Sequence, residues 1–436
     1  MAKIVVQGGQ RLRGTVKASG AKNAVLPIIA ASLLGSVGES VLEEVPNLSD
    51  VGNLRLLLEA LGVETSEVGP GLLRLNAELA ESTEAPAELV RKLRASFLVL
   101  GPILSRFGRA RVAMPGGCSI GERKVDLHIK GFEAMGARVE QGENFIEAIA
   151  EGGRLKGATI YLDFASVGAT QNIMMAAVLA EGKTVIENAA KEPEIVDLAN
   201  YLNKMGADVR GAGTDTIRIN GVEQMHGAEH MIIPDRIEAG TFLIGAAVTG
   251  GDVYVEGAIS NHLAPLLAKL KEAGATVVDD VTGVRVYVEG PLRPLDVKTL
   301  VYPGFPTDLQ AQMMALLTAI PGRSAVTETV FENRFMHVAE LRRMGADITV
   351  SGRTAHVIGG KPLHGAKVTS TDLRAGACLI LAALTATGHT EIHGVHHIDR
   401  GYVDIVQKFT DLGAKIERVE RQEFKADEQA IGQAFL

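Results

Sequence analysis

Two hydrophobic patterns alternate along the 436 residues. The first is an apolar stripe at helical spacing, ended by a glycine and followed by alternating strand-like positions. It reads LEALGVET at 58–65, FEAMGARV at 132–139, LNKMGADV at 202–209, LKEAGATV at 270–277, LRRMGADI at 341–348 and FTDLGAKI at 409–416. The spacing predicts a helix closed by a C′ glycine and then a strand. The glycines are Gly62, Gly136, Gly206, Gly274, Gly345 and Gly413, at intervals of 74, 70, 68, 71 and 68 residues. The second pattern is an Ala/Leu-rich helix, a glycine turn and a β-branched strand, as in MMAAVLAEGKTVIENA and FLIGAAVTGGDVYVEGA. Its turn glycines are Gly35, Gly108, Gly182, Gly250, Gly322 and Gly388. These helices are apolar nearly all round and are expected to be buried. The striped helices carry charges on one face, at Glu59, Lys204, Lys271 and Arg342, and are expected to be half exposed.

The chain therefore reads as six units of about 70 residues, each with two helices and several strands. A fixed period of this kind outranks other signals. Three units make a body of about 210 residues, a comfortable size for one core. Closed packing of three units around a shared helical core is expected, twice over; a stacked solenoid is the alternative. The fold class is α/β.

Composition narrows the function. Hydrophobic residues make up 46% and charged residues 22%, as in an ordinary globular protein. A net charge of −8 and the lack of Trp argue against a nucleic-acid partner. Two cysteines, Cys118 and Cys378, give neither a disulfide framework nor a metal pattern. Cys378 lies inside RAGACLILAAL and reads as core. No apolar run approaches a membrane span and the N-terminus has no signal core, so a cytoplasmic protein is expected. No P-loop and no dinucleotide fingerprint is present.

Chemistry concentrates where the buried helices begin. Lys22 and Asn23 open the first, Arg94 the second and Ser166-Val167-Gly168 the third. Asp235 and Arg236 open the fourth, Thr307 and Asp308 the fifth, Asp372 and Arg374 the sixth. Ser166, Asp235, Thr307, Asp308 and Asp372 all suit N-caps. Lys22, Arg94 and Arg374 do not, because cations in a first turn oppose the helix dipole. That conflict points to a shared anionic ligand. Arg123, Arg334 and Arg400 occupy matching places before the striped helices of units two, five and six, and arginine suits carboxylate and phosphate oxygens. One loop, PGGCSIGERKVDLHI at 115–129, combines three glycines with Cys118 beside Arg123 and Lys124, cations that favour a thiolate.

These residues together resemble the enolpyruvyl transferase family over essentially the whole chain. The pieces that carry the likeness are SGAKNA at 19–24, RASF at 94–97, the cysteine loop, SVGAT at 166–170, ENAAKEPEIVDLAN at 187–200 and IPDRIEAGTF at 233–242. PTDLQAQ at 306–312, FENRFMH at 331–337, STDLRAG at 370–376 and HIDRGY at 397–402 add to them. The cysteine loop favours the branch acting on a UDP-sugar over the shikimate branch. The resemblance implies two inside-out α/β barrel domains, residues 22–233 and residues 1–21 with 234–436. It implies phosphoenolpyruvate and UDP-N-acetylglucosamine as substrates in peptidoglycan precursor synthesis, and no metal or organic cofactor. Lys22, Arg123 and Arg400 are expected on phosphoenolpyruvate, supported by Arg94, Arg334 and Arg374. Asp308 is expected as the base for the sugar hydroxyl, and Cys118 as the residue that adds to phosphoenolpyruvate or protonates it. Asn23, Ser166, Val167 and Gly168 are expected on the sugar nucleotide. Glu192, Arg236, Thr307, Val330 and Asp372 are expected near the substrates. The cysteine loop is expected to close over them, and Cys118 to be the target of fosfomycin. Some members carry a lysine just before SVGAT; here Asp163-Phe164-Ala165 stands there, which removes that cation.

Overall fold

The computed structural model describes residues 2–114 and 125–420. Cys118 and Arg123, with the expected loop closure, lie outside the described residues. The six-unit reading is realised as six four-stranded sheets. Every sheet has the same plan: a short edge strand parallel to its neighbour, then two antiparallel pairings. In unit three, Thr159–Tyr161 runs parallel to Lys183–Glu187, which pairs antiparallel with Thr216–Asn220 and through it with Asp208–Arg210. Its register sets Ile186 opposite Ile217 and Thr184 opposite Ile219, all buried, so one face turns inward.

The striped helices end as their glycines predict. Gly62, Gly136, Gly206, Gly274, Gly345 and Gly413 all have φ between +82° and +102°, a left-handed conformation that costs glycine little. Five of the six turn glycines in the second pattern are also left-handed; Gly35 is not. There the helix Lys22–Ala31 tightens into a 3-10 turn, Ser32–Leu34, and the left-handed residue is Gly38.

The second-pattern helices are the buried ones, as expected. Val167–Ala177 is buried from Ala169 onward and Arg236–Thr249 from Ile237 to Val248. Leu373–Thr385 is buried from Arg374 to Leu384, with Cys378 fully enclosed and its thiol pushed up by burial. The helices Gln310–Ala319, Leu373–Thr385 and Arg236–Thr249 pack together, and Leu100–Phe107 packs on Val167–Ala177. Sheets outside and helices inside make this an inside-out α/β arrangement.

Buried apolar side chains fall into two cores. One gathers from residues 21–232, the other from residues 4–18 and 237–416. Lys3–Gln7 completes the sheet of unit six and Arg13–Lys17 that of unit four, which draws the N-terminus into the second body. The chain crosses between the bodies twice, and the crossings bond to each other: Ala21 N donates to Ile233 O at 2.7 Å and Asp235 N to Ser19 O at 2.7 Å. At the other end of the chain, Lys415–Val419 forms the last described strand.

Candidate active site

Residues that open three of the buried helices, Lys22, Asp308 and Arg374, enter two ion clusters. The first is centred on Asp50, in the first turn of Ser49–Ala60. Its Oδ2 lies 2.8 Å from Lys22 Nζ, and Arg400 reaches Oδ1 through Nε at 2.9 Å and Oδ2 through Nη2 at 3.3 Å. Lys22 and Asp50 belong to the first body and Arg400 to the second. The Asp50 side chain is 1% exposed. Losing one partner from so buried a pair costs about 3–5 kcal/mol. Burial lowers the pKa of Lys22, Asp50 opposes that, and Arg374 and Arg400 add to the lowering.

The second cluster lies within the second body. Asp308 accepts from Arg334 Nη2 at 2.7 Å and from Arg374 Nη2 at 2.8 Å. Both arginines are buried while the Asp308 side chain is 25% exposed. Burial raises the Asp308 pKa, but the two guanidiniums outweigh it and hold the carboxyl well below the usual range. Arg334 also donates to Thr307 Oγ1 at 3.0 Å, and Thr307 donates to Glu328 Oε2 at 2.8 Å. Glu328, buried, further accepts from Thr299 Oγ1, Val330 N and Phe331 N through Oε1. It fixes Thr307 and the turn at Val330 together.

Around these clusters the expected residues divide. Ser166, Asp235 and Asp372 are N-caps: Ser166 accepts from Ala169 N, Asp235 from Ile237 N and Glu238 N, Asp372 from Arg374 N and Ala375 N. Thr307 and Asp308 cap nothing; their side chains turn to Glu328 and the arginines. Asp235 Oδ2 also takes Lys22 N at 3.1 Å. Several helix N–H groups are thus already satisfied, and the capacity to bind anions rests on side-chain cations more than on the helix ends.

Arg94 begins the 3-10 turn Arg94–Val99 and is half-buried. Burial, with the Arg94 charge, lowers the pKa of His128 to about 3, so that ring is neutral. His128 bonds Asn172 Nδ2 at 3.1 Å and lies beside Gly168, which brings Arg94 and the Ser166–Gly168 turn into one neighbourhood. Asn23 is exposed beside Lys22. Arg236 pairs with Glu194 at 2.9 Å across the two bodies. Burial pushes up the carboxyl of neighbouring Glu192, whose Oε2 has no partner among the described residues.

Sequence reasoning missed Asp50, Glu194 and Glu328. Asp50 and Glu194 are acids in helix first turns, where acids satisfy the dipole and raise no conflict. Glu328 sits at a strand end with no local signal. Among the described residues no group of His, Cys, Asp and Glu could hold a metal ion, and no helix is long and apolar enough to cross a membrane.

The sequence profile of EPSP synthase (3-phosphoshikimate 1-carboxyvinyltransferase) matches residues 6–409. The UDP-N-acetylglucosamine 1-carboxyvinyltransferase 2 of Carboxydothermus hydrogenoformans is 60% identical over 96% of this chain and 100% of its own length. The UDP-N-acetylglucosamine 1-carboxyvinyltransferase 1 of Halalkalibacterium halodurans is 58% identical over 98% of this chain and 97% of its own. Among solved structures, an enolpyruvyl transferase from Streptomyces tendae is similar with a TM-score of 0.86 at 26% identity, covering 96% of this chain and 99% of that one. An EPSP synthase from Acinetobacter baumannii, at 19% identity and a TM-score of 0.75 over 96% of this chain and 100% of that one, shares the fold.

Proposed function

The chain belongs to the EPSP synthase family, and we propose that it transfers the enolpyruvyl group of phosphoenolpyruvate to the 3-hydroxyl of UDP-N-acetylglucosamine, releasing phosphate. This is an enzymatic step of peptidoglycan precursor synthesis. It would run in the cytoplasm, where both substrates are at hand. The observation that carries the reading is the arrangement of Lys22, Arg334, Arg374 and Arg400 about two carboxylates, one of them the partly exposed Asp308. A substrate bearing both phosphate and carboxylate needs several cations, and no single helix supplies them.

In the addition step the sugar O3 bonds to C2 of phosphoenolpyruvate, Asp308 accepts the O3 proton and C3 gains a proton. In the elimination step C3 returns a proton, the C2–O bond to phosphate breaks, and the enol ether and phosphate form. Asp308, held well below the usual range by two guanidiniums, is a weak base on its own. An anion that engages Arg334 or Arg374 draws their charge away from Asp308 and raises its proton affinity. Binding of the donor thus prepares the base for the acceptor. Lys22 and Arg400, with Arg123 from the cysteine loop, hold the donor; the turn Ser166-Val167-Gly168 holds the sugar nucleotide with Asn23, Thr307 and Val330. Arg94, expected to support the donor, is assigned here to the sugar nucleotide because it shares the neighbourhood of that turn. Cys118 is placed in the reaction as proton donor to C3 or as a covalent holder of the donor. Asp372, Glu192 and Arg236 belong near the substrates in this reading, with Arg236 held by Glu194. Domain boundaries near 21/22 and 233/234 fit this reading, supported by the two separate cores.

Phosphate release from phosphoenolpyruvate, measured with UDP-N-acetylglucosamine, with shikimate 3-phosphate and with neither, tests the function. Release only with the sugar nucleotide is expected; release with shikimate 3-phosphate alone, or with neither acceptor, would reject it. Alkylation of Cys118 by fosfomycin, with Cys118→Asp active and resistant, tests the place of the cysteine.

A further inference from the structure

We propose that Asp50 is a positioning residue of the donor site, a fixed internal counter-ion that holds Lys22 of one body and Arg400 of the other on a common point. The geometry is specific. One carboxylate, 1% exposed, receives three charged contacts, at 2.8, 2.9 and 3.3 Å, from residues that begin and end the functional region of the chain. Lys22 is anchored a second time, through its backbone N–H to Asp235 Oδ2. Its side chain is 12% exposed, so the ammonium can move little, and Asp50 decides where it points. Arg400 is different. Its side chain is 38% exposed and stands at the end of a short 3-10 turn, Val395–Arg400, so its bidentate grip on Asp50 is what orders it.

Charge counting gives Asp50 its second role. Lys22 and Arg400 against Asp50 leave one surplus positive charge, enough to attract an anion without leaving the buried Lys22 unopposed. Among the described residues the charged groups facing Lys22 are Asp50, Arg374 and Arg400, with Asp235 on its backbone. Burial and both arginines drive the Lys22 ammonium toward losing its proton, and Asp50 is the charge that resists this. Without that charge Lys22 would neutralise at lower pH, and a neutral amine holds phosphate poorly.

The inference rests on the enolpyruvyl-transfer reading, and its test separates the two. The pH midpoint of Lys22 acetylation by acetic anhydride, read by mass spectrometry, is compared in wild type, Asp50→Asn and Asp50→Glu, beside the pH dependence of kcat/KM for phosphoenolpyruvate. In Asp50→Asn the Lys22 midpoint is expected to fall by at least about half a pH unit, and the alkaline limb of kcat/KM to fall with it. The value of kcat/KM for phosphoenolpyruvate should drop about 10- to 100-fold, while KM for the sugar nucleotide stays within about threefold. Asp50→Glu keeps the charge and should keep the wild-type midpoint. A Lys22 midpoint unmoved in folded Asp50→Asn would overturn the inference, as would equal losses toward both substrates. If Asp50→Asn does not fold, Asp50→Glu decides, and a fallen midpoint there would overturn it. Failure of the wild-type chain to release phosphate would reject the transfer reading alone, because the acetylation midpoint is read without turnover.

Discussion

The two carboxylate clusters differ in what they join. Asp308 binds two arginines of its own body, Arg334 and Arg374, and is braced from behind by Thr307 and Glu328. Asp50 binds one cation from each body and, among the described residues, has no comparable brace. Asp308 keeps a quarter of its side chain exposed, whereas Asp50 is closed off. The contrast lies in accessibility and connectivity. An accessible carboxylate on a rigid mount suits proton transfer to a bound hydroxyl. An inaccessible one that ties two bodies suits holding cations in place. Each aspartate with the two cations that touch it leaves one positive charge in surplus, which suits an anionic donor.

The repeat sharpens the contrast. Asp50 and Glu194 stand at the starts of striped helices in units one and three, while Arg334 and Arg400 stand before those of units five and six. Unit two, also in the first body, carries Arg123 at that place, so the acids are a feature of units one and three; Asp50 pairs across the bodies with Arg400, and Glu194 with Arg236 from the start of a buried helix.

The strongest way to break the comparison is Asp308→Asn. It should lower kcat about 10²- to 10⁴-fold, the span of a lost general base, with the fold intact by circular dichroism. An unchanged kcat would show that the exposed carboxylate is no base. Next comes Lys22→Ala, which should reduce kcat/KM for phosphoenolpyruvate about 100-fold, more than it affects the sugar nucleotide, in steady-state assays. Arg374→Gln sharpens the account of proton affinity. Asp308 acts ionised, its pKa sets the acid limb of the pH profile, and removing a cation raises that pKa; the limb should move to higher pH by about one unit. A limb moving down would reverse the assigned electrostatics. The smallest effect is expected from Glu328→Gln, which leaves both clusters charged but weakens the brace. It should lower stability by about 1–3 kcal/mol in denaturant unfolding and raise KM for the sugar nucleotide several-fold.

The architecture was legible because its signals are local. A stripe, a left-handed glycine and a strand recur six times, and each can be read within about ten residues. Lys22 and Arg374 stood out because each breaks a local rule, and the structure draws both into the ion clusters. Asp50 breaks none. It is an ordinary first-turn acid whose partner Arg400 lies 350 residues away, a distance that no pattern spans. Thr307 and Asp308 misled in the opposite sense: both have the chemistry of caps, yet the third partner, Glu328, draws Thr307 aside and the arginines claim Asp308. Gly35 looked like its five counterparts, but the 3-10 turn at Ser32–Leu34 moved the reversal to Gly38. Identity of type and spacing therefore located the helix starts, while the choice between cap, base and counter-ion waited on tertiary partners.

The most direct measurement of the division of labour is single-turnover phosphate release in Asp308→Asn and Asp50→Asn, each saturated with both substrates and followed beside wild type. The account predicts that saturation restores most of the rate in Asp50→Asn, whose defect lies in holding the donor, and restores none in Asp308→Asn, whose defect lies in the chemical step. Recovery of Asp308→Asn at saturation, or a loss in Asp50→Asn that saturation leaves as large as that of Asp308→Asn, would contradict it.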